Sequence, residues 1–190
     1  MVKIITDGVY GYNEIMQILA SSLIGANVLS IHSGQNLGKI SGWLVSTKDL
    51  KIELLVVSAN DKKTLYLMAN DIRSLGNGAK SMIIIDSSDK LSEKEDLLRH
   101  QDLIGSKFDL MELRVATQSG KKIGKVKDLS IDFQDLYILK LHIKAKVLQR
   151  ITNERLLVDR TDIVEIKKDR IIIKDGYAKT KQSYAKVLPA

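Results

Sequence analysis

The chain of 190 residues has no cysteine, which excludes both a disulfide framework and a thiolate metal site. Aromatic residues make up only 5% of the chain, so its core must be built from Ile, Leu and Val. Branched side chains fit a pleated sheet well, and this composition therefore favours β-structure. The longest apolar runs, LLVV at 54–57 and MIII at 82–85, are far too short to span a bilayer.

The beginning of the chain lacks the apolar core of a signal peptide, because Asp7 and Glu14 interrupt it. Together with the absence of cysteine, this predicts a cytoplasmic protein with no membrane insertion. Residues 1–15 have no counterpart elsewhere in the chain, and Met16 is an alternative start of the native product.

The positive charge is concentrated in the second half. Residues 1–90 carry 9 basic and 8 acidic side chains, whereas residues 91–190 carry 21 and 15. A basic half is compatible with an anionic partner, such as RNA or an acidic protein surface, and equally with a solvated face.

Several stretches occur twice in the same order. SGQNLGKISGWLVS at 33–46 is echoed by SGKKIGKVKDLSID at 119–132, and the tripeptide LIG at 23–25 recurs at 103–105. Later, SMIIID at 81–86 matches RIIIKD at 170–175, and Asp-Ile occurs at 71–72 and 162–163. Two copies are too few for a solenoid, so the pattern predicts a tandem duplication of a small domain.

Each copy is predicted to be all-β. Leu139, Leu141 and Ile143 alternate with Lys140, His142 and Lys144, which indicates a strand with one buried and one wet face. Between the copies, Ser92 and Glu95 form a capping-box pattern that predicts a short helix over 93–100. Residues 12–22 fit a short helix or a strand almost equally well.

The motif Gly-x-x-x-Gly-Lys, present in both copies, is one residue short of a phosphate-binding loop. The position after the lysine is Ile40 or Val126 instead of the hydroxyl residue that holds magnesium, and no helical pattern follows. We therefore interpret the glycines as structural. Gly34 and Gly120 are expected in turns with positive φ, and Gly38 and Gly124 at bulges or close backbone approaches.

No motif for catalysis, metal or cofactor binding stands out. His32, His100 and His142 are not spaced as metal ligands, and no serine has the setting of a hydrolase nucleophile. We expect exposed histidines, no cofactor and no enzymatic activity.

The strongest candidate for a binding surface is a basic face on the second copy. Its members are Lys121, Lys122, Lys125, Lys127, Lys140, His142, Lys144 and Lys146. Such a face suits phosphates, but RNA readers add aromatic groups for base stacking, and only Tyr137 is near in sequence. Alternatively, these lysines keep a strand edge soluble.

The two copies resemble the PRC-barrel family through the quoted LIG, SG-x-x-x-GK and closing stretches, over about residues 22–86 and 102–175. That family includes the cytoplasmic domain of the reaction-centre H subunit and the C-terminal domain of the ribosome maturation factor RimM. The resemblance implies small six-stranded barrels that bind proteins and carry no catalytic residues. The membrane helix of the H subunit and the separate N-terminal domain of RimM have no counterpart here.

The predicted fold is thus two tandem PRC-type β-barrels with a short connecting helix. The predicted parts are an N-terminal extension (1–21), PRC-barrel 1 (22–88), a helical linker (89–101), PRC-barrel 2 (102–176) and a basic tail (177–190). We expect pseudo-twofold packing of the barrels within the chain, with a homodimer as a further arrangement. The predicted function is a protein-interaction or adaptor module whose second barrel prefers an acidic partner. The alternative is an RNA- or ribosome-associated assembly factor.

Overall fold

The computed structural model describes residues 17–76, 82–106, 108–145 and 156–176. These residues form fourteen β-strands and one α-helix, so the prediction of a mostly β protein is confirmed. The strands are β1 (Gln17–Leu19), β2 (Asn27–Ser30), β3 (Asn36–Ser46), β4 (Lys51–Ala59), β5 (Thr64–Met68), β6 (Ile72–Gly76), β7 (Met82–Ile85), β8 (Leu91–Ser92), β9 (Arg114–Thr117), β10 (Lys122–Asp132), β11 (Ile138–Ala145), β12 (Leu156–Asp159), β13 (Ile163–Ile166) and β14 (Arg170–Ile173). The helix α1 (Gln101–Ser106) lies between β8 and β9. Within the described ranges, no helix is long and apolar enough to cross a membrane.

The strands form two sheets with the same internal order. The first sheet runs β6-β7-β2-β3-β4-β5-β8, and the second runs β13-β14-β9-β10-β11-β12 with β1 added to β10. In each sheet one neighbouring pair is parallel, namely β2 with β7 and β9 with β14. This order gives a one-to-one correspondence between six strands of each sheet: β2 with β9, β3 with β10, β4 with β11, β5 with β12, β6 with β13 and β7 with β14.

Both sheets are open, which corrects the expectation of closed barrels. Among the described residues, no ladder joins β5 to β6 or β12 to β13. The chain passes between these strands through single 3-10 turns at Ala69–Asp71 and Arg160–Asp162. These turns carry the chain around a corner, so the strands on either side do not continue one ladder.

One apolar core extends through both sheets. Ile52 and Leu55 of β4 belong to the same buried cluster as Leu129 of β10 and Ile138 of β11. Fully burying a side chain of this size stabilises the fold by about 1.5–3 kcal/mol. The two halves are therefore packed together by the same effect that stabilises each sheet.

The two halves also exchange backbone hydrogen bonds where β4 and β11 begin. The N–H of Ile52 donates to the carbonyl of Leu136 at 3.0 Å, and the N–H of Ile138 donates to the carbonyl of Leu50 at 2.7 Å. Leu50 and Leu136 occupy equivalent positions and have nearly the same positive φ, 57° and 58°. The contact is thus reciprocal, with equivalent groups on each side.

The repeated glycine motif forms the turn and bulge that open β3 and β10. Gly34 and Gly120 have φ of 66° and 85°, a region that other L-residues rarely adopt. A Cβ on Gly38 would overlap the carbonyl oxygen of Ser58, and one on Gly124 would overlap that of Lys144. A strand follows immediately in both cases, where a phosphate-binding loop would lead into a helix.

The segment before β2 crosses to the second sheet. In β1, Gln17 pairs with Asp132 and Leu19 with Ser130 of β10, although β1 belongs to the N-terminal half. A 3-10 turn at Ala20–Leu23 then leads back toward β2. Residues 12–16 of the predicted helix or strand, like the predicted tail at 177–190, lie outside the described residues.

The α-helix lies later than the predicted range of 93–100, where the structure has two 3-10 turns. Ser92, the predicted N-cap, belongs to β8 and pairs with Tyr66 of β5. Leu97, whose φ and ψ are −95° and 56°, separates the two turns and is buried. Burial of Leu97 and the pairing of β8 outweigh the local capping signal.

The echo between LIG at 23–25 and LIG at 103–105 is not a structural equivalence. Leu103-Ile104-Gly105 lies in α1. The N–H of Gly25 donates to Ile40, and in the second half the N–H of Glu112 donates to Val126, which is the equivalent residue. Glu112 also has a positive φ of 63°, like Gly25 at 81°. The structural counterpart of residues 23–25 is therefore 110–112.

Candidate functional site

Four cationic side chains lie in line across four neighbouring strands of the second sheet. Lys144 of β11 is directly opposite Lys125 of β10. Lys125 is opposite Arg114 of β9, and Arg114 lies beside Arg170 of β14. We call these four residues the cationic row. It is about 14 Å long, because neighbouring strands lie roughly 4.8 Å apart.

The cationic row faces away from the core. The residues that follow along β9, β10 and β14, namely Val115, Val126 and Ile171, are buried at 1% exposure or less. Successive side chains of a strand point to opposite faces, so the cations stand on the outer face. The apolar residues therefore fix the strands that hold the charges.

Two carboxylates lie beside the row and compensate only part of its charge. Glu112 pairs with Lys125 at 3.6 Å and also with Lys127. The hydrogen bond from Lys127 holds the pKa of Glu112 below its usual value, and the charges of Lys127 and Lys125 act in the same direction. The backbone N–H of Glu112 donates to the carbonyl of Val126, as that of Gly25 does to Ile40, and this bond holds the residue beside β10.

Asp169 neutralises the other end of the row. Its carboxylate binds the guanidinium of Arg170 at 2.8 Å, and this hydrogen bond lowers the pKa of Asp169. The charge of Arg114 contributes to the same shift. Among the described residues, Lys144 and Arg114 form no ion pair within 4.0 Å. Two unpaired cations thus alternate with two paired ones.

The first sheet has no comparable row. Four residues of the first sheet pair in the same register across β4, β3, β2 and β7. They are Ser58 in place of Lys144, Lys39 in place of Lys125, Asn27 in place of Arg114 and Met82 in place of Arg170. Like charges directly opposite each other in a sheet are destabilising. The extra cations therefore cannot be explained by the packing that both sheets share.

The structure places the predicted basic residues in several environments. Lys121 is exposed just before β10, Lys122 is the exposed first residue of β10, and Lys127 forms an ion pair with Glu112. Lys140 is half-buried opposite Asp159. Burial disfavours the charged form of Asp159, but hydrogen bonds from Thr161 and the charge of Lys140 hold its pKa below the ordinary value. Lys146 lies outside the described residues.

The prediction of an exposed His142 was wrong. His142 is only 6% exposed, and its Nε2 lies 2.7 Å from the hydroxyl of Ser130. It is directly opposite Asp128, which is also buried. His142 therefore interrupts the predicted basic face and separates Lys140 from the cationic row. His32 is exposed, and His100 lies 3.5 Å from Glu53.

Sequence reasoning missed Arg114 and Arg170. Each is the first residue of a short stretch rich in β-branched residues, RVAT or RIII, which marks it as a strand start. What brings the two arginines together is the parallel ladder between β9 and β14, whose register no local pattern records. In the described part of the chain, no group of three or more His, Asp or Glu side chains is arranged to hold a metal ion.

All four residues of the cationic row fall within residues 107–179, which match the family model of the PRC-barrel domain. This segment is similar to a PRC-barrel domain. The matched segment starts just before the turn that contains Glu112 and includes β9 to β14. The strand β1, which completes the edge of its β10, comes from outside the matched residues. No curated protein matches the chain.

Proposed function

We propose that this protein is a non-catalytic interaction module that binds an acidic protein surface through the cationic row. The observation that carries the proposal is the alternation of Lys144 and Arg114, which lack ion-pair partners among the described residues, with the paired Lys125 and Arg170. Two unit charges about 4 Å apart repel by about 1 kcal/mol even in water. Carboxylates of a partner would relieve this repulsion and gain charge-assisted hydrogen bonds.

The proposed module consists of two PRC-barrel-type units related by duplication. Supporting this, β3 has register shifts between Ile40 and Gly42 and between Leu44 and Val45. The equivalent β10 has them between Val126 and Asp128 and between Ser130 and Ile131. A bulge is a specific local feature, so its recurrence at two equivalent places favours common descent.

The two units are proposed to pack with pseudo-twofold symmetry. Two reciprocal hydrogen bonds support this, from Ile52 to Leu136 and from Ile138 to Leu50. The two donors occupy equivalent positions in the two units, and so do the two acceptors. Such isologous contacts are typical of twofold dimers. A duplicated chain with this contact resembles a homodimer joined by a linker.

The carboxylates beside the row favour binding over catalysis. Glu112 and Asp169 both have lowered pKa values because lysine or arginine partners hold them ionised. General acid–base catalysis near neutral pH needs a group whose pKa lies near the working pH. These two groups are instead suited to orient the cations around them.

RNA binding is the second candidate, favoured by the same unpaired cations and the exposed Lys121 and Lys122. Single-stranded RNA readers also stack bases on aromatic side chains. The Nζ of Lys51 and the guanidinium carbon of Arg160 each lie 5.3 Å from the centre of the Tyr137 ring, so this ring already makes two cation–π contacts. This arrangement favours the acidic protein partner over RNA.

The test compares a fluorescein-labelled peptide of alternating Asp and Glu with a labelled single-stranded RNA of similar charge, using fluorescence anisotropy. The test variant is Lys144→Glu with Arg114→Glu, and the matched control is Lys39→Glu, at the position of the first sheet that is equivalent to Lys125. We expect the test variant to weaken peptide binding by roughly tenfold or more and the control to change it less than about twofold.

Equal effects of the two variants would contradict the proposal, as would no peptide binding at low salt. Tighter binding of the RNA, lost in the test variant, would favour the second candidate. Circular dichroism and thermal unfolding of each variant establish that the fold is retained.

A further inference from the structure

The edge of β10 is completed by a strand from another part of the chain. The first residues of β10 pair with β9. Further along the same edge of β10, at Ser130–Asp132, the pairing strand is β1. The sheet thereby gains a short antiparallel strand. This is strand addition within one molecule, and it shows that the edge accepts an extended segment.

The equivalent edge of β3 lacks such a strand. β2 pairs with β3 as far as Lys39, and a backbone bond from Ile40 to Ala26 follows. Beyond that point, the described residues supply no backbone segment that pairs with the edge at 44–46, the counterpart of Ser130–Asp132. The segment that would correspond to β1 is the end of α1, and a helix cannot donate its backbone groups to a sheet edge.

The grooves beside these two edges differ greatly in size. The groove beside β1 has a volume of only about 20 Å³ and is lined by Ile18, Leu75 and Phe133, among others. The groove beside β3 has a volume of about 470 Å³ and is lined in part by Thr47 and Ile166. Ile166 is the register equivalent of Leu75, so the two grooves are counterparts. The larger one has the size of a ligand pocket.

The large groove, which we call the β3 cleft, has an apolar floor and a basic rim. Val45, Leu103 and Phe108 contribute the apolar surface. The rim contains the cations Lys48, Arg99, Lys167 and Lys168 against the carboxylates Glu53 and Asp102. Lys167 also pairs with Glu165 at 3.2 Å, which leaves four cations against three carboxylates. Glu53 is contacted by His100 at 3.5 Å. The excess of positive charge favours an occupant with acidic side chains.

We infer that the β3 cleft binds an extended acidic peptide of a partner protein, which adds a strand to β3 at 44–46. The peptide backbone pairs with the edge as β1 pairs with β10. Its alternate side chains are apolar toward Val45 and Phe108 and acidic toward the basic rim. The inference shares with the proposed function the premise that this protein binds proteins, but it concerns a different surface.

The test uses a short labelled peptide in which Val and Glu alternate, with binding followed by anisotropy. The cleft variant is Lys167→Glu with Lys168→Glu, and the row variant is Lys144→Glu. The matched control is Lys39→Glu with Lys62→Glu, two exposed lysines of the first half that belong to neither the β3 cleft nor the cationic row. A second peptide carries N-methyl groups on alternate amides, which keeps every charge but removes the donors needed for strand pairing. Hydrogen exchange at 44–46 is measured with and without the peptide.

We expect the cleft variant and N-methylation each to weaken binding roughly tenfold or more, and the control variant to change it less than about twofold. Peptide binding should also slow amide exchange at 44–46. Retained binding in the cleft variant together with loss in the row variant would overturn the inference and leave the proposed function standing. The reverse pattern supports the cleft and counts against the row.

Slow exchange in the free protein at those amides of 44–46 that point away from β4 would overturn the inference, because that edge would then already be filled. No peptide binding to any variant at low salt would overturn both proposals.

Discussion

Asp128 accepts two hydrogen bonds from Ser21, a residue 107 positions earlier in the chain. One comes from the backbone N–H at 3.1 Å and the other from the hydroxyl at 2.5 Å. Asp128 is only 5% exposed, and Ser21 lies in the 3-10 turn at Ala20–Leu23 that follows β1. This carboxylate therefore anchors the crossing segment to the second sheet.

Asp128→Ala is expected to lower the free energy of unfolding by about 2 kcal/mol, because hydrogen bonds to a charged, buried acceptor are among the stronger ones. Chemical denaturation measures this change. Amide exchange in β1 should accelerate more than exchange in β4. The matched control is Asp135→Ala at an exposed turn of the same sheet, which should change stability by less than about 0.5 kcal/mol. An unchanged exchange rate in β1 would contradict the anchoring role.

Gly124→Ala is expected to destabilise the protein by about 2 kcal/mol or more, since its Cβ would overlap the carbonyl oxygen of Lys144. The control is Gly105→Ala. Gly105 lies in α1 with open space around it, so alanine should stabilise the helix by up to about 1 kcal/mol. Thermal unfolding distinguishes the two directions. A stable Gly124→Ala protein would show that β10 and β11 can separate at this point without cost.

Tyr137→Ala is expected to destabilise the contact between the two halves by about 1–2 kcal/mol, because the ring makes cation–π contacts with both Lys51 and Arg160. Tyr137→Phe keeps the ring and should be within about 0.5 kcal/mol of the wild type. Denaturation of both variants provides the comparison. Equal losses in both would assign the effect to the hydroxyl group instead of the ring.

Asp175 connects the end of β14 to the glycine turn before β10. The hydroxyl of Ser119 donates to it at 2.6 Å, and the resulting hydrogen bonds from Ser119 and Thr117 lower its pKa from the ordinary 3.8. A lowered carboxyl pKa gives stability that is fully present above pH 3.8 and is lost as the pH falls through the folded-state pKa.

Ser119→Ala should move the pKa of Asp175 back toward 3.8, measured by NMR titration of the carboxyl carbon. The variant should also lose less stability than the wild type on acidification below pH 3.8. Ser58→Ala, at an exposed position of the first sheet, is the control and should leave both quantities unchanged. A titration midpoint of Asp175 unaffected by Ser119→Ala would contradict this assignment.

Several predicted features depended only on neighbouring residues, and these agree with the structure. The alternation of Leu141 and Ile143 with Lys144 places the first two in the core and the third outside. The turn glycines have the backbone angles expected of them. The LIG echo, by contrast, was misleading, since three residues carry too little information to fix a position in a fold that uses Leu110 and Glu112 instead.

His142 shows why the candidate surface could be only partly predicted. Period-two alternation places it with Lys140 and Lys144, and the pattern assumes that this face of the strand meets water throughout. In the structure its strand partner is Asp128, which binds a segment from the other half of the chain. A pattern within one strand contains no record of such a segment.

Composition and local pattern were enough to predict the β-rich fold and the glycine turns, because backbone preference and side-chain alternation act between close neighbours. Folding of the whole chain was needed to bring β1 across to β10, to place Arg114 beside Arg170, and to leave the β3 cleft open where β10 is covered. These features depend on ladder register and on packing between distant segments. Their energies come from contacts that exist only once the chain has folded.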